Sequence, residues 1–352
     1  MNDASSPPHR WVTMQDVART AGVSTITVSR VLRTPEKVRA ATRDRVQAAV
    51  RDLGYVPDQV AGSLSSRESR LVAALVSTLS GSIFASTVDG LARSLREADH
   101  QLLLGTTEYS TASEQALIAT ALSRRPDGIV LTSGEHTPAA RAMLVGAGIP
   151  VVEVWELPED PVDMAVGFSN FEAGRAMTRH LHAVGRQRIG FVGGSRPAAA
   201  GGDEGATEGD RRGRLRRQGY AAALAELGLG EPRVVPDPAG GSMVERGARD
   251  LAALLERWPD TDAVFCSSDS VALGALSEAR RRGIAVPDRL AVAGFGDFEF
   301  AGDSGLGLTT VSIPGHAIGA EAGRLLLAAK RGEKPTARIL DLGFAIIRRA
   351  TA

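Results

Sequence analysis

The chain carries one cysteine, Cys266, in 352 residues, so an internal disulfide is excluded and a reducing compartment is expected. It has no apolar run near the roughly 20 residues that a membrane-spanning helix needs. Its opening ten residues, with Ser5, Ser6, Pro7 and Pro8, lack the apolar segment of an export signal. A cytoplasmic protein without a membrane partner is therefore expected. Histidine and cysteine do not cluster at metal-ligand spacing, since His180 and His182 stand two apart on a predicted helix and point to different sides. Gly190-Phe191-Val192-Gly193-Gly194 follows a predicted strand but lacks the glycine spacing of a dinucleotide loop. Gly302-Asp303-Ser304-Gly305 echoes a serine-protease string without a partnered histidine. No catalytic residue, metal or cofactor is expected.

A surplus of one charge sign is missing as well, because the formal net charge is +0. That argues against a surface that coats nucleic acid along its whole length. The distribution is uneven, however. Residues 1–64 hold nine basic and six acidic side chains, a surplus of three that the rest of the chain balances. A small basic module on a neutral or acidic body is a pointer to phosphate contact.

Three helical segments open the chain. Met14–Thr20 places Val17, Ala18 and Ala21 on one face, and Gly22 supplies the tight break after it. Ser24 caps a second helix, Thr25–Leu32, with Val28, Val31 and Leu32 inward. A third runs from about Ala40 to Leu53 and stops at Gly54. In a helix-turn-helix the early residues of the second helix reach base edges. Thr25, Ile26 and Arg30 hold those positions, and an arginine there can fork onto guanine. Thr13, Thr27, Ser29 and Arg33 are placed for phosphates. A small helical bundle with a polar helix after a glycine turn would show the same spacing.

From Leu71 onward apolar strands alternate with amphipathic helices, the pattern of parallel sheets covered on both faces. Strands are predicted at Leu71–Val76, Gln101–Leu104, Gly128–Leu131, Val151–Val154, Ala165–Gly167, Arg188–Val192, Arg233–Val235, Ala263–Cys266 and Leu290–Ala293. These are too many for one sheet, so two α/β lobes with a cleft are expected. Gly201–Asp210, rich in glycine and acid, reads as a long loop.

The run Val12-Thr13-Met14-Gln15-Asp16-Val17-Ala18, then Ala21-Gly22-Val23-Ser24 and Thr27-Val28-Ser29-Arg30-Val31-Leu32, resembles the head of LacI/GalR-type repressors. The continuation through Leu53-Gly54-Tyr55-Val56-Pro57 does so too. The resemblance implies that Tyr55 belongs to the DNA-binding set. It also implies that Gln59–Leu64 becomes a hinge helix on the operator, with Leu64 wedged into the minor groove. Asp58 stands where the family usually has asparagine, and Gly62 lowers helix propensity by about 1 kcal/mol relative to alanine.

The body resembles the family's effector domain, which shares its fold with periplasmic sugar-binding proteins. Ile149–Glu153, Val166–Gly174, Val264–Asp269, Val292–Phe295, Leu308–Val311 and Leu340–Phe344 carry the likeness. Ala165–Glu172 and Leu340–Phe344 most resemble the gluconate-operon repressor branch, which implies gluconate or a related sugar acid as effector. Matching positions imply effector contacts at Ile83, Phe84, Phe168, Arg216, Ser268, Asp269 and Gly296. Arg216 fits physically, because guanidinium forks pair with carboxylates. Arg211, Arg212, Arg214 and Arg217 surround it, and for most of them a solvated basic helix face is expected. Gly296 replaces an aspartate found in sugar-binding members, and Ser268 an asparagine.

The expected architecture is an N-terminal all-α helix-turn-helix head with an α/β periplasmic-binding-protein-like body of two doubly wound parallel-sheet lobes. A disordered arm spans 1–11, the DNA-binding domain 12–57, the hinge helix and linker 58–69, and the effector-binding and dimerisation domain 70–352. Within the body, lobe 1 takes about 70–167 and 304–330, and lobe 2 about 168–303 and 331–352. The expected function is a homodimeric repressor of a sugar or sugar-acid operon, binding double-stranded operator DNA and released by a small-molecule effector. A corepressor, or a head with no functional effector, remains an alternative, as the sign of the coupling is not written in the residues. After a final strand at Arg348–Thr351, the family's tetramerising tail is not seen.

Overall fold

The computed structural model describes residues 12–56, 68–79, 83–193, 210–236, 241–302, 305–333 and 335–352. The chain divides into two units, Met1–Ser69 and Arg70–Ala352.

In the first unit, helix α1 (Met14–Ala21) begins at a reciprocal cap. Thr13 Oγ1 accepts from the Asp16 N–H at 3.3 Å, and the Asp16 carboxylate accepts from the Thr13 N–H at 3.0 Å. The amides of Thr13 and Asp16 at the helix start are thereby engaged. Gly22 ends the helix at φ +64°, the left-handed geometry that favours glycine. Ser24 then caps α2 (Thr25–Arg33) through the Thr27 N–H, and α3 (Ala40–Leu53) ends on left-handed Gly54. Val17, Ala18, Ala21, Val28, Val31, Val46, Ala49 and Tyr55 form one core between the helices. The hinge segment, with Asp58, Gly62 and Leu64, lies outside the described residues, as do the 1–11 arm and most of the Gly201–Asp210 loop.

The second unit holds two six-stranded sheets. The first contains β1 (Leu71–Val76), β2 (Gln101–Thr106), β3 (Gly128–Leu131), β4 (Val151–Val154), β5 (Met164–Gly167) and β11 (Ile339–Asp341), in the order β11-β5-β4-β3-β1-β2, with all pairs parallel. The second contains β6 (Ile189–Val192), β7 (Arg233–Val234), β8 (Ala263–Cys266), β9 (Ala291–Gly296), β10 (Thr309–Ser312) and β12 (Ala345–Ile347), in the order β12-β10-β9-β8-β6-β7. Only β12 runs antiparallel within it. The interior strands are almost wholly buried, as parallel sheets covered on both faces require. Helices α4 (Ala85–Glu97), α5 (Thr111–Ser123), α6 (Pro138–Ala147), α7 (Asn170–Ala183), α8 (Arg211–Leu227), α9 (Met243–Arg257), α10 (Asp269–Arg281), α11 (Glu299–Gly302) and α12 (Gly315–Lys330) complete it.

The lobe boundaries expected from sequence need two corrections. Thr309–Ser312 pairs with β9 in the second sheet, and Ile339–Asp341 pairs with β5 in the first. Strands of three or four residues carry too little pattern to say which sheet will hydrogen-bond them. The last strand is Ala345–Ile347 and not Arg348–Thr351, because it is the antiparallel partner of Thr310–Ser312. The chain therefore passes between lobes after β5, after β10 and after β11.

Candidate functional site

In the head, α2 presents an exposed face with Thr25, Ile26 and Arg30, while Arg33 is exposed at its end. Ile26 is 69% exposed on an otherwise polar face, although Val28 and Val31 of the same helix are buried. Thr27 and Ser29 are half-buried beside that face, and Thr13 is engaged by Asp16. Tyr55 is 7% exposed within the core. Its ring packs with the residues of the three helices in that core.

In the body, the sheet order places a switch point between β1 and β3, where crossovers leave in opposite directions. Open α/β sheets bind ligands at the carboxyl ends of strands there. A small pocket, open to solvent, lies at that point. Ser77 follows β1, Thr107 and Tyr109 follow β2, Ser133 and Glu135 follow β3, and Glu156 follows β4. Arg211 and Arg212, from the start of α8 in the other lobe, close the wall.

Charge crosses the cleft at this wall. Arg211 ion-pairs with Glu156 and with Glu135, the latter at 2.8 Å, and Arg214 reaches Glu135 at 3.6 Å. Arg212 donates to Ser77 Oγ at 2.8 Å and to the Thr132 carbonyl, with Glu156 at 3.8 Å and Asp210 at 3.4 Å. Burial works against the Arg212 charge, but Asp210 and Glu156 outweigh it and raise its pKa. Burial raises the Glu156 carboxyl despite Arg212 and Arg211. Burial and Asp210 push the Tyr109 hydroxyl up to about 12, so it stays neutral, and its oxygen accepts from the Arg212 guanidinium. Glu108, Tyr109 and Trp155 hold positive φ of 53°, 62° and 75° beside this wall. Such backbone strain persists where surrounding structure over-determines a site.

Behind the wall lies a buried aromatic layer. Trp155 meets Phe84 edge-on at 4.9 Å and Phe168 at 5.7 Å, and Arg212 sits 5.0 Å over the Phe84 ring. Arg216 is buried 4.0 Å over Phe295 and donates to Asn170 Oδ1 at 2.6 Å, while Asn170 Nδ2 donates to the Trp155 carbonyl at 2.9 Å. Helices α7 and α8 come close enough for this because Gly174 and Gly219 face each other's helices. A Cβ on Gly174 would overlap the Arg216 carbonyl oxygen, and one on Gly219 the Phe171 carbonyl oxygen.

The lacI-family signature of bacterial regulatory proteins matches residues 13–58, and the periplasmic binding protein-like domain matches residues 178–352. The HTH-type transcriptional regulator GntR of Pseudomonas aeruginosa is 36% identical over 351 residues, covering 99% of this chain and 98% of that protein. This chain belongs to the LacI family. GntR of Escherichia coli K12 is 34% identical over 333 residues, 95% of this chain and 96% of that one. The crystal structure of a LacI-family transcriptional regulator from Silicibacter pomeroyi superposes with a TM-score of 0.85 at 36% identity, covering 97% and 99% of the two chains. The protein is a DNA-binding transcriptional regulator with an effector-binding domain, and not an enzyme.

Within this LacI-family body the residues expected as effector contacts lie beside this cavity and not in its wall. Among the described residues, the cavity wall includes none of Ile83, Phe84, Phe168, Arg216, Ser268, Asp269 and Gly296. Phe84, Phe168 and Arg216 share the buried layer just behind it, and Ile83 packs against the same core. Ser268 caps α10 through the Val271 N–H. Asp269 accepts from Thr310 Oγ1 at 2.6 Å and from the Phe298 N–H at 2.8 Å, and burial pushes its carboxyl up to about 6. Gly296 has φ +127°, and a Cβ there would lie 2.8 Å from the Phe298 ring. An aspartate is therefore disfavoured at this backbone, which explains that departure from sugar-binding members. The expected solvated basic face is also corrected. Arg212 and Arg216 are buried and Arg211, Arg214 and Arg217 half-buried, because the carboxylates across the cleft pair with this helix end. Ser77, Thr107, Ser133 and Glu156 of the cavity wall were not singled out from sequence, although each stands within two residues of a strand end, a signal that the strand-end rule could have used.

Proposed function

We propose that this LacI-family regulator is a homodimeric repressor of a sugar or sugar-acid operon, with gluconate or a similar polyhydroxy acid as inducer. The observation that supports it most is the cavity at the β1/β3 switch point, walled by hydroxyls from one lobe and by Arg211 and Arg212 from the other. A ligand bridging both walls changes the relation of the lobes, and a differential affinity for two arrangements is what couples effector to operator. Thr25, Ile26 and Arg30 read base edges, Thr13, Thr27, Ser29 and Arg33 contact phosphates, and Leu64 wedges the minor groove. The pseudo-palindromic operator of such a head calls for two copies. Edge strand β2, with Leu102, Leu103 and Leu104 half-exposed, offers a sheet edge for a second copy to cover.

Footprinting on the regulated promoter with and without gluconate, together with calorimetry, tests this. Protection of two half-sites that gluconate relieves is the expected result. No heat with gluconate while the footprint persists refutes the inducer assignment.

A further inference from the structure

We infer that the edge of the first sheet at which the chain enters the body, with Arg70, Arg96, Arg124 and Arg125, is a second DNA-binding surface. It takes the phosphate backbone of the duplex that flanks the operator. Contacts of that kind position a protein on DNA without reading sequence.

Topology gathers these side chains. Strands β3, β1 and β2 are parallel neighbours in that order, so their first residues lie along one edge. Arg70 immediately precedes β1, α4 ends just ahead of β2, and α5 ends just ahead of β3. Arg96 lies in the last turn of α4, and Arg124 caps α5 with Arg125 beside it. The backbone here is tied down. The Arg70 N–H donates to Asp127 Oδ2 at 3.0 Å, and the Arg70 carbonyl accepts from the Gln101 N–H at 2.7 Å. Asp127 also accepts from Lys330 Nζ at 2.6 Å, at the end of α12, with His100 Nε2 at 3.1 Å. Arg70, Asp99 and Arg125 hold φ of 52°, 55° and 49°. Residues other than glycine keep such values only where their surroundings enforce them. The guanidiniums therefore stand on a fixed platform, which lowers the ordering cost of meeting a partner.

All four arginines are exposed, and among the described residues their side chains have no ion-pair or hydrogen-bond partner. Exposed arginines elsewhere in the body are engaged by carboxylates, as Arg179 is by Glu226 at 2.6 Å and Arg282 by Glu278 at 2.6 Å. Within the edge, exposed Asp99 does not balance four guanidiniums, and Glu97 faces Arg93 at 3.9 Å. A cation at a helix C-terminus complements the helix dipole, which accounts for Arg96 and Arg124 singly. It does not account for Arg70, which belongs to no helix. Helix α6 ends at the same edge, ahead of β4, and has no basic residue in its last turn. Duplex DNA is the polyanion that a LacI-family chain holds through its head, with one charge per about 1.7 Å of axis. The segment from the head joins the body at Arg70, so a bound operator is tethered to this edge at high effective concentration.

The test uses the full chain and a duplex that the wild type selects from a random library. One form is trimmed to the protected core, and the other is extended by about one helical turn on each side. Affinity is titrated against salt for both. At a slope of about −0.9 per phosphate, each contact is worth roughly eightfold between 1 M and 0.1 M salt. Arg96→Gln combined with Arg124→Gln is therefore expected to weaken the extended duplex by about 10- to 60-fold at 0.1 M salt. Its salt slope should become shallower by about two, while the trimmed duplex changes by less than about threefold. Arg280→Gln combined with Arg348→Gln removes the same charge from exposed sites elsewhere in the body. This control should affect both duplexes alike, and less. A loss in R96Q/R124Q no greater than in the control overturns the surface, since the arginines then act only through the overall field. Equal losses on the two duplexes overturn the flank as its partner. A lowered melting temperature in R96Q/R124Q with the extended-duplex affinity intact leaves those arginines a helix-end role alone and overturns the inference.

Discussion

His136 sits between two buried carboxylates, with Nδ1 2.6 Å from Glu114 Oε1 and Nε2 2.9 Å from Glu153 Oε1. Its side chain is 2% exposed. Burial works against the imidazolium, but its hydrogen bonds to Glu114 and Glu153 outweigh it and raise the pKa from 6.5 to about 9. A histidine whose folded pKa is raised adds stability that is complete below the unfolded value and is lost as pH rises through the folded one. The window is therefore pH 6.5 to 9, and the shift corresponds to about 3 kcal/mol at 1.36 kcal/mol per unit. His136→Gln removes the charge and leaves two buried carboxylates facing each other. Breaking a buried charged pair costs about 3–5 kcal/mol, which corresponds to a fall in melting temperature on the order of 10 °C for a unit of this size. Circular-dichroism melts of both proteins between pH 6 and pH 10 measure this. The wild type should lose stability across the window, and the gap between the two should narrow as it does so. A wild-type profile that is flat from pH 6.5 to 9, or a variant that melts within two degrees of it at pH 6, would refute the charged bridge.

Arg30→Ala, at an exposed position of α2, is expected to cost about 1–3 kcal/mol of specific operator affinity and to leave the head folded. A normal footprint from that variant rejects the assignment of α2 as the reading helix. Ile26, bare to solvent in an otherwise polar setting, is expected to touch a thymine methyl. Operator half-sites in which uracil replaces each thymine in turn should show one position of weakened binding, and Ile26→Ala should erase that difference. Gly296→Asp is expected to destabilise the body by about 1–3 kcal/mol, since it forces a side chain into a glycine backbone region, without creating affinity for neutral sugars. A melt unchanged from wild type contradicts the strain at that position.

Much of the architecture was legible because its signals are local. The Thr13–Asp16 cap, the Gly22 turn and the Ser24 cap each act within four residues, and the head follows them. The nine predicted strands appear within a few residues of their expected ends, since buried parallel strands read as short apolar runs. The strands at Thr309–Ser312, Ile339–Asp341 and Ala345–Ile347 carried no such signal, and their sheet is set by distant partners. The cavity wall was legible only in kind. An arginine on α8 was expected, but Arg212 and Arg216 share one helix face, and four residues of sequence do not tell which of them meets the cleft.

The sequence by itself determined the class of protein, the order of its head and body, and the helix that carries Thr25, Ile26 and Arg30. Only the tertiary structure decided which charges face each other across the cleft. Glu135 and Glu156 stand more than fifty residues from the arginines they meet, and His136 is seated by carboxylates from α5 and β4. Such pairs depend on where crossovers leave strand ends, and on the glycines that let α7 and α8 touch. Those positions follow from the packing of the whole body, because a charge is held in the interior only when the entire fold supplies its partner.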